Sequence, residues 1–131
     1  MPSHTPRIED YAMIGDCRSA ALVGIDGSID WLCWPRFDSP ACFAALLGEP
    51  GNGRWLLAPK TVRKVSRHYR DTSLVLETEF EAEGGRVRVT DFMPVGDGQA
   101  LMRRVTGTPS WCCASITATP FRGCGAPPSA R

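Results

Sequence analysis

Residues Gly15–Gly48 read GDCRSAALVGIDGSIDWLCWPRFDSPACFAALLG, the stretch with the densest local structural signals in the chain. Ala20–Gly24 is a short, largely apolar run that predicts a β-strand. Asp26-Gly27 then gives a strong two-residue hairpin signal, because a type I′ turn needs positive φ at both central residues. Ser28–Cys33 is predicted to return as the partner strand. The period-two alternation sends its central residues to opposite faces, Ile29 and Trp31 to one and Asp30 and Leu32 to the other.

The residues that follow this hairpin indicate a loop and a short helix. Residues 34–38 are loop-like, since proline lacks a ladder donor and biases the residue before it to extended geometry. Ser39 and Pro40 suit the cap and the first position of a helix. We therefore predict one short helix near residues 40–47, ended by Gly48.

From Arg54 onward the sequence alternates with the period of two that is typical of half-buried strands. Five further strands are predicted, at Arg54–Ala58, Val65–Arg70, Leu74–Glu81, Arg86–Thr90 and Ala100–Val105. Six side chains are assigned to inner faces, Leu74, Leu76, Thr78, Phe80, Val87 and Val89. Opposite charges are expected to face each other across one hairpin, Glu77, Glu79 and Glu81 against Arg86 and Arg88. Many short strands between turn signals predict a mainly β fold, a partial antiparallel β-sandwich.

The composition excludes several classes of function. Its 131 residues fit at most one domain, and a net charge of +1 gives no electrostatic footprint for nucleic acid. The sequence contains no run of about 18 apolar residues, so no membrane span is expected. The first residues lack the charged and apolar regions of a secretory signal, and we expect a cytoplasmic protein.

The six cysteines are expected to be reduced, with Cys17, Cys33 and Cys42 acting as small buried hydrophobes. They form no C-x-x-C pair and the two histidines are isolated, so we predict no metal site and no cofactor. The sequence also lacks a glycine-rich phosphate loop, a G-x-S-x-G elbow and an H-E-x-x-H motif.

Beyond these local signals, a series of motifs runs along residues 8–107. They are Ile14–Cys17, Ser19–Val23, Asp26–Cys33, Pro35–Pro40, Arg67-x-Tyr69, Asp71-Thr72, Leu76-Glu77-Thr78-x-Phe80, Asp91–Pro94 and Leu101–Gly107. In identity and order they resemble the N-terminal signature of glycoside hydrolase family 15, the glucoamylase and trehalase-like α-glucosidases. A collinear set of motifs is far more specific than any single motif.

The resemblance implies intact relatives that hydrolyse α-linked glucosides, such as trehalose or malto- or isomalto-oligosaccharides. Inverting hydrolysis needs a general acid and a general base on opposite faces of the scissile bond. In family 15 both are glutamates on an (α/α)6 barrel that follows the β-sandwich. That barrel is absent from this sequence, so residues 1–107 are interpreted as a truncated N-terminal domain with no catalytic residue. The chain is expected to be inactive alone, and its expected partners are its own barrel and an α-glucoside.

The loop residues Trp34, Arg36, Phe37 and Asp38 are the candidates for contact with substrate. In the functional interpretation the loop borders the sugar pocket, its aromatic rings stack on sugars, and its Arg and Asp hydrogen-bond hydroxyls. In the structural interpretation Arg36 pairs with Asp38, Phe37 anchors the loop, and Ser39 caps the helix. The other acidic residues are interpreted as structural, Glu77, Glu79 and Glu81 on a solvated strand face and Asp16, Asp26 and Asp30 in turns or local hydrogen bonds.

A second hypothesis is a stand-alone β-sandwich module that binds carbohydrate or a partner protein. Its contact residues would be Trp31, Trp34, Phe37 and Trp55. Such a module should fold cooperatively as a monodisperse species, whereas a fragment with unpaired strand edges should aggregate.

The tail, residues 108–131, differs in composition from the rest of the chain. It has no acidic residue, several prolines, three cysteines and no sustained apolar period. We expect it to be disordered and to arise from a frameshift. With GC-rich codons assumed from Pro109 onward, translation from the third base gives VVVLRFDYGDAVPWVR, which resembles the RFDYG and PWVR motifs of family 15. The spacing from Gly107 is shorter than in the family, which an accompanying deletion would explain.

Overall fold

The computed structural model describes residues 6–48, 50–107 and 112–117, the last six by their backbone alone. Ten strands in these residues form two antiparallel sheets, which confirms the mainly β fold class. The helical elements among them are three single 3-10 turns, Ile8–Asp10, Ala45–Leu47 and Pro50–Asn52. No helix in this part of the chain has the length and apolar character needed to cross a bilayer.

Sheet A contains six strands, five of them in the order β1-β2-β3-β5-β10, with β4 paired to β3. Their bounds are β1 Tyr11–Gly15, β2 Ala20–Gly24, β3 Ser28–Cys33, β4 Ala41–Phe43, β5 Arg54–Pro59 and β10 Cys112–Thr117. β4 and β5 share β3: β4 lies opposite Leu32 and Cys33, and β5 opposite Ser28 and Ile29. The end of β3 that carries Cys33 therefore leads directly into the loop predicted to be functional.

Sheet B is a meander of four strands in the order β6-β7-β8-β9. They are β6 Val62–Tyr69, β7 Leu76–Ala82, β8 Gly85–Phe92 and β9 Met102–Gly107. The register of the β7–β8 hairpin places Glu79 opposite Arg88 and Glu81 opposite Arg86. The two pairs lie at N–O distances of 3.3 and 3.0 Å, which confirms the predicted cross-strand charge pairing at these positions.

The β2–β3 hairpin lies where the sequence predicts it, but its turn is of a different type. The N–H of Gly27 donates to the carbonyl of Gly24 at 3.0 Å. Within the turn only Gly27 has a positive φ, 88°, so the predicted positive φ at Asp26 is wrong. The geometry is a type I turn followed by a left-handed glycine, rather than type I′.

A β-bulge in β3 overturns the predicted assignment of its faces. Two consecutive residues of β2 pair with Trp31 and Ile29, so Asp30 between them is an extra residue with no partner on β2. An extra residue shifts the side-chain alternation. Ile29 and Leu32, predicted on opposite faces, are consequently buried in the same core cluster.

The helix predicted near residues 40–47 is wrong. Its first half is strand β4, and its second half is the 3-10 turn Ala45–Leu47. The reason lies at the expected cap: Ser39 Oγ accepts a hydrogen bond from the N–H of Arg36 at 3.1 Å, so it is turned back into the loop. So short a segment is marginal as an α-helix, and pairing with β3 satisfies its backbone instead.

The core lies between the sheets in two clusters. The first contains Ile14, Ala21, Val23, Ile29, Leu32, Phe43, Leu76 and Met93. The second contains Leu57, Ala58, Phe80, Val87 and Val89. All the predicted inward side chains of sheet B are buried except Leu74, which is 43% exposed because β7 begins only at Leu76.

Two residues of β6 tie sheet B to the β1 side of sheet A. Arg67 donates to the carbonyls of Val23 and Asp10, at 3.0 and 2.6 Å. The hydroxyl of Tyr69 accepts from the N–H of Met13 at 3.0 Å and donates to the Met13 carbonyl at 2.9 Å. The Arg-x-Tyr motif therefore joins the two layers of the sandwich.

Part of the tail predicted to be disordered is a strand. Cys112–Thr117 form β10, which pairs antiparallel with the whole of β5. The expectation of disorder does not hold for these six residues, and the remainder of residues 108–131 lies outside the described part of the chain.

The cysteines differ in state. Cys17 and Cys33 are free thiols, as predicted, whereas Cys42 is disulfide-bonded, so the prediction of a reduced thiol is wrong there. Cys33 is buried as expected, but Cys17 is exposed. The spacing of the cysteines in the sequence does not predict which of them is bonded.

Candidate functional site

The loop that joins β3 to β4, residues 34–39, borders a surface concavity, and we call it the rim loop. The concavity has a volume of about 650 Å³. It is lined by Cys17, Arg18, Pro35, Arg36, Phe37, Asp38 and Gln99. Three connections therefore meet here: the β1–β2 turn, the rim loop and the β8–β9 connection.

The β1–β2 turn is organised around the carboxylate of Asp16. Its Oδ1 accepts hydrogen bonds from the N–H groups of Arg18 and Ser19, both at 2.8 Å. Cys17, between Asp16 and Arg18, has a φ of 71°, which is uncommon for a residue other than glycine. Burial opposes ionisation of Asp16, but the hydrogen bonds from Ser19, Arg18 and the Gln99 side chain lower its pKa below the ordinary value. Asp16 is thus a charged structural anchor, as predicted.

The rim loop is fastened to this turn at two points. The Ser19 hydroxyl donates to the carbonyl of Cys33, just before the loop. The N–H of Phe37 donates to the carbonyl of Arg18 at 2.9 Å. On the other side, Nε2 of Gln99 donates to the carbonyl of Pro35 at 2.5 Å. The backbone of the loop is consequently held at several points, although the side chains of Arg36, Phe37 and Asp38 are exposed.

The side chains of the rim loop agree only in part with the structural interpretation of the sequence. Arg36 and Asp38 do pair, at 3.3 Å, with side chains 72% and 74% exposed. Phe37 is 59% exposed, so its ring does not anchor the loop by burial. Ser39 caps no helix, since it bonds back to Arg36.

Of the four substrate-contact candidates, three lie together and one does not. Arg36, Phe37 and Asp38 line the concavity. Trp34 is partly buried and packs against the first core cluster. The structure adds Arg18, Cys17 and Gln99, which sequence reasoning missed because they are brought in by other connections.

The concavity offers the chemistry of a binding site. It combines the exposed ring of Phe37 with the guanidinium groups of Arg18 and Arg36, the carboxylate of Asp38 and the amide of Gln99. An apolar face beside a few polar groups suits a ligand with both kinds of surface, such as a sugar. Because its lining residues include one carboxylate and no histidine, they suit ligand recognition rather than paired acid–base chemistry.

The prediction of a solvated glutamate face on β7 is wrong for Glu77. Its side chain is only 9% exposed, contacts Nη2 of Arg70, and lies 3.0 Å from Nε2 of His68. The hydrogen bond from Arg70 holds the pKa of Glu77 below its ordinary value against the opposing effect of burial. Glu79 and Glu81 are more exposed and make cross-strand ion pairs.

Asp26 and Asp30 make the local hydrogen bonds predicted for them. Asp26 Oδ1 accepts from the N–H of Ser28 at 3.0 Å. Asp30 accepts from the hydroxyl of Ser28 at 2.5 Å and from that of Tyr11 at 2.6 Å. Burial, together with the hydrogen bond to Asp30, raises the pKa of Tyr11 far above its ordinary value. Asp26 and Asp30 therefore have structural roles.

The four aromatic residues of the alternative binding-module hypothesis do not form an exposed platform. Only Phe37 is largely exposed. Trp34 and Trp55 are partly buried against the core, and the Trp55 ring lies 5.4 Å from the guanidinium carbon of Arg103. Trp31 is half-buried on β3.

Comparison with known proteins points to one family. The family model described as "Trehalase-like, N-terminal" matches residues 1–125. The chain is 39% identical over 92 residues to a trehalase of Mycolicibacterium smegmatis, an alignment that covers 70% of this chain and 14% of the relative. No solved structure matches the chain significantly.

Two further relatives are equally informative. A trehalase of Mycobacterium tuberculosis is 37% identical over 100 residues, covering 76% of this chain and 15% of the relative. Trehalase 1 of Sulfolobus acidocaldarius is 40% identical over 99 residues, covering 75% of this chain and 17% of the relative. The chain thus spans a small part of the length of these relatives. Because the family model matches residues 1–125, the chain belongs to the trehalase-like N-terminal domain family.

Proposed function

We propose that this chain is the N-terminal β-sandwich part of a glycoside hydrolase family 15 enzyme that hydrolyses α-glucosidic bonds. The observation that carries the proposal is its identity of 37–40% to proteins named trehalase, over most of the chain. The motif order of family 15 along residues 8–107 supports the finer assignment. Trehalose is the first substrate to test, ahead of malto- and isomalto-oligosaccharides, because it is the sugar in the relatives' names.

This part of the enzyme contributes binding and positioning rather than proton transfer. Inverting hydrolysis needs two carboxyl groups about 6.5–9.5 Å apart across the scissile bond. The acids with low exposure in the described chain are engaged in structure, Asp91 with Arg103, Glu77 with Arg70, and Asp30 with Tyr11. In family 15 the acid and base are glutamates of an (α/α)6 barrel, and the 131 residues alone are therefore expected to release no glucose.

The rim loop is the part of this domain that we assign to the sugar. The exposed ring of Phe37 can stack on a sugar ring, and the paired Arg36 and Asp38 offer a donor and an acceptor for hydroxyls. An ion pair this exposed contributes about 0–1 kcal/mol to stability. It can therefore exchange its internal contact for contacts to a ligand at little cost.

The test uses a chimeric enzyme in which residues 6–107 replace the matching segment of the Mycolicibacterium smegmatis trehalase. Glucose release from trehalose is measured for the chimera and for its R36A, F37A and D38A variants. Each variant is expected to raise KM by about ten-fold, the equivalent of roughly 1.4 kcal/mol of lost binding.

The matched control is R63A, which removes a comparably exposed arginine of β6 that pairs with Glu83 in the β7–β8 turn. An active chimera whose three rim-loop variants behave like R63A would remove the proposed role of the loop. Glucose release by the 131-residue chain alone would contradict the assignment of catalysis to the barrel.

A further inference from the structure

We propose that Gln99 is a positioning residue, which fixes the rim loop in the orientation that presents Arg36, Phe37 and Asp38 together. The inference rests on the proposed function of that loop. Gln99 belongs to the connection between β8 and β9 of sheet B, whereas the rim loop follows β3 of sheet A. It is thus a side-chain link between the two layers at the concavity.

The peptide plane between Pro35 and Arg36 is held on both of its sides. Its carbonyl accepts from Nε2 of Gln99 at 2.5 Å. Its N–H donates to Ser39 Oγ at 3.1 Å. Because both polar groups of this plane are held, the direction in which the Arg36 side chain leaves the backbone is held as well.

Gln99 also acts on Asp16. The Gln99 side chain lies beside the Asp16 carboxylate and is one of the groups that lower its pKa, against the opposing effect of burial. An amide nitrogen carries two hydrogens, so it can donate to a carbonyl and to a carboxylate at once. Gln99 therefore joins the rim loop to the same carboxylate that organises the β1–β2 turn.

The two attachments of the rim loop reinforce each other. The β1–β2 turn holds the loop through the bond from the Phe37 N–H to the Arg18 carbonyl, at 2.9 Å. Gln99 holds the loop two residues earlier, at Pro35. Loss of the amide would leave the Pro35–Arg36 peptide held only by Ser39 of the same loop, with Arg36 free to turn away from Phe37 and Asp38.

The experiment compares Q99E, Q99K and Q99A with the 131-residue chain by amide hydrogen exchange, followed by NMR. Q99E has nearly the same shape but cannot donate and places a second negative charge beside Asp16. Q99K keeps a donor for both acceptors. D97N, an exposed change in the same connection, is the control.

In Q99E and Q99A the amides of Arg36 and Phe37 are expected to exchange about five- to ten-fold faster, as for loss of one hydrogen bond. The amides of the core residues Ile14 and Val23 should keep their rates in every variant. Q99K and D97N should retain the slow exchange of the loop amides. Unchanged loop exchange in Q99E and Q99A would overturn the proposal.

The same variants placed in the chimeric trehalase separate this proposal from that of the loop's function. Q99E is expected to raise KM with kcat retained, in proportion to the effect of R36A. If R36A raises KM and Q99E does not, Gln99 has no positioning role and the proposal fails. If neither raises KM while loop exchange is faster in Q99E, Gln99 still holds the loop, and it is the sugar-binding function that fails.

Discussion

Arg103 on β9 donates from Nε and Nη2 to the two carboxylate oxygens of Asp91 on β8, at 2.7 and 3.3 Å. Both side chains are 1% exposed. The same guanidinium donates to the carbonyls of Trp55 and Gly27 in sheet A, each at 2.7 Å. One arginine therefore satisfies a buried carboxylate of its own sheet and two main-chain acceptors of the opposite sheet.

Removal of Asp91 should be strongly destabilising. D91A leaves a buried guanidinium without its counter-charge, and the expected loss is about 3–5 kcal/mol in the free energy of unfolding. Urea denaturation followed by tryptophan fluorescence measures it. E83A, which breaks the exposed pair with Arg63, should cost less than about 1 kcal/mol. Equal losses in the two variants would show that the buried Asp91–Arg103 pair contributes no more to stability than the exposed pair.

Glu77 should make stability depend on pH in the acidic range. Its pKa in the folded chain lies below the ordinary value of 4.5, mainly because of the hydrogen bond from Arg70. The stabilisation is therefore complete above pH 4.5 and is lost as the pH falls through the folded pKa. Urea midpoints between about pH 3 and 6 should fall less steeply for E77Q than for the wild type.

The control for that pH series is E81Q, on the same strand but with a side chain 40% exposed. It should leave the slope nearly as in the wild type. An E77Q profile parallel to that of the wild type would mean that another group causes the acid dependence.

Gly27 should not tolerate alanine. Its φ of 88° disfavours a side chain, and an added Cβ would lie 2.5 Å from the carbonyl oxygen of Leu57. G27A should lower the free energy of unfolding by about 1–3 kcal/mol. At Gly96 an added Cβ would meet no atom within 4 Å and φ is not positive, so G96A is the matched control, with an expected change below about 0.5 kcal/mol. A G27A variant as stable as G96A would show that the turn relaxes freely.

The frameshift proposed for residues 108–131 is tested on DNA. Sequencing of the locus through codons 100–131 and several hundred codons downstream should reveal a shifted frame that reads RFDYG and then PWVR. That frame should continue into a helical barrel with two glutamates. Codons that encode RFDYG in no frame would refute the frameshift.

The sequence predicts the hairpins of this domain well, because alternation and turn glycines are local signals. The prediction fails where a residue makes a different hydrogen bond or strand pairing from the one that its sequence position suggests. Ser39 has the sequence features of a helix cap, yet it bonds backward to Arg36. Asp30 shifts the register of β3 by one residue, which alternation cannot show in advance.

The candidate site was predictable only along one segment. Arg36, Phe37 and Asp38 are contiguous and stand out as a polar and aromatic loop after proline. Gln99 lies 64 residues from the carbonyl that it holds, and no local pattern marks it. Arg18 reaches the concavity through a turn whose shape depends on Asp16. Such residues become visible only when the two sheets are in place.

The hydroxyl of Tyr69 bonds both main-chain groups of Met13. This contact also limits the addition of further strands to sheet A. β1 is the terminal strand of that sheet, and Met13 lies at its centre. A strand from another copy would have to displace Tyr69 before it could continue the ladder along β1. The Tyr69 hydroxyl thus protects the β1 edge of sheet A against strand addition.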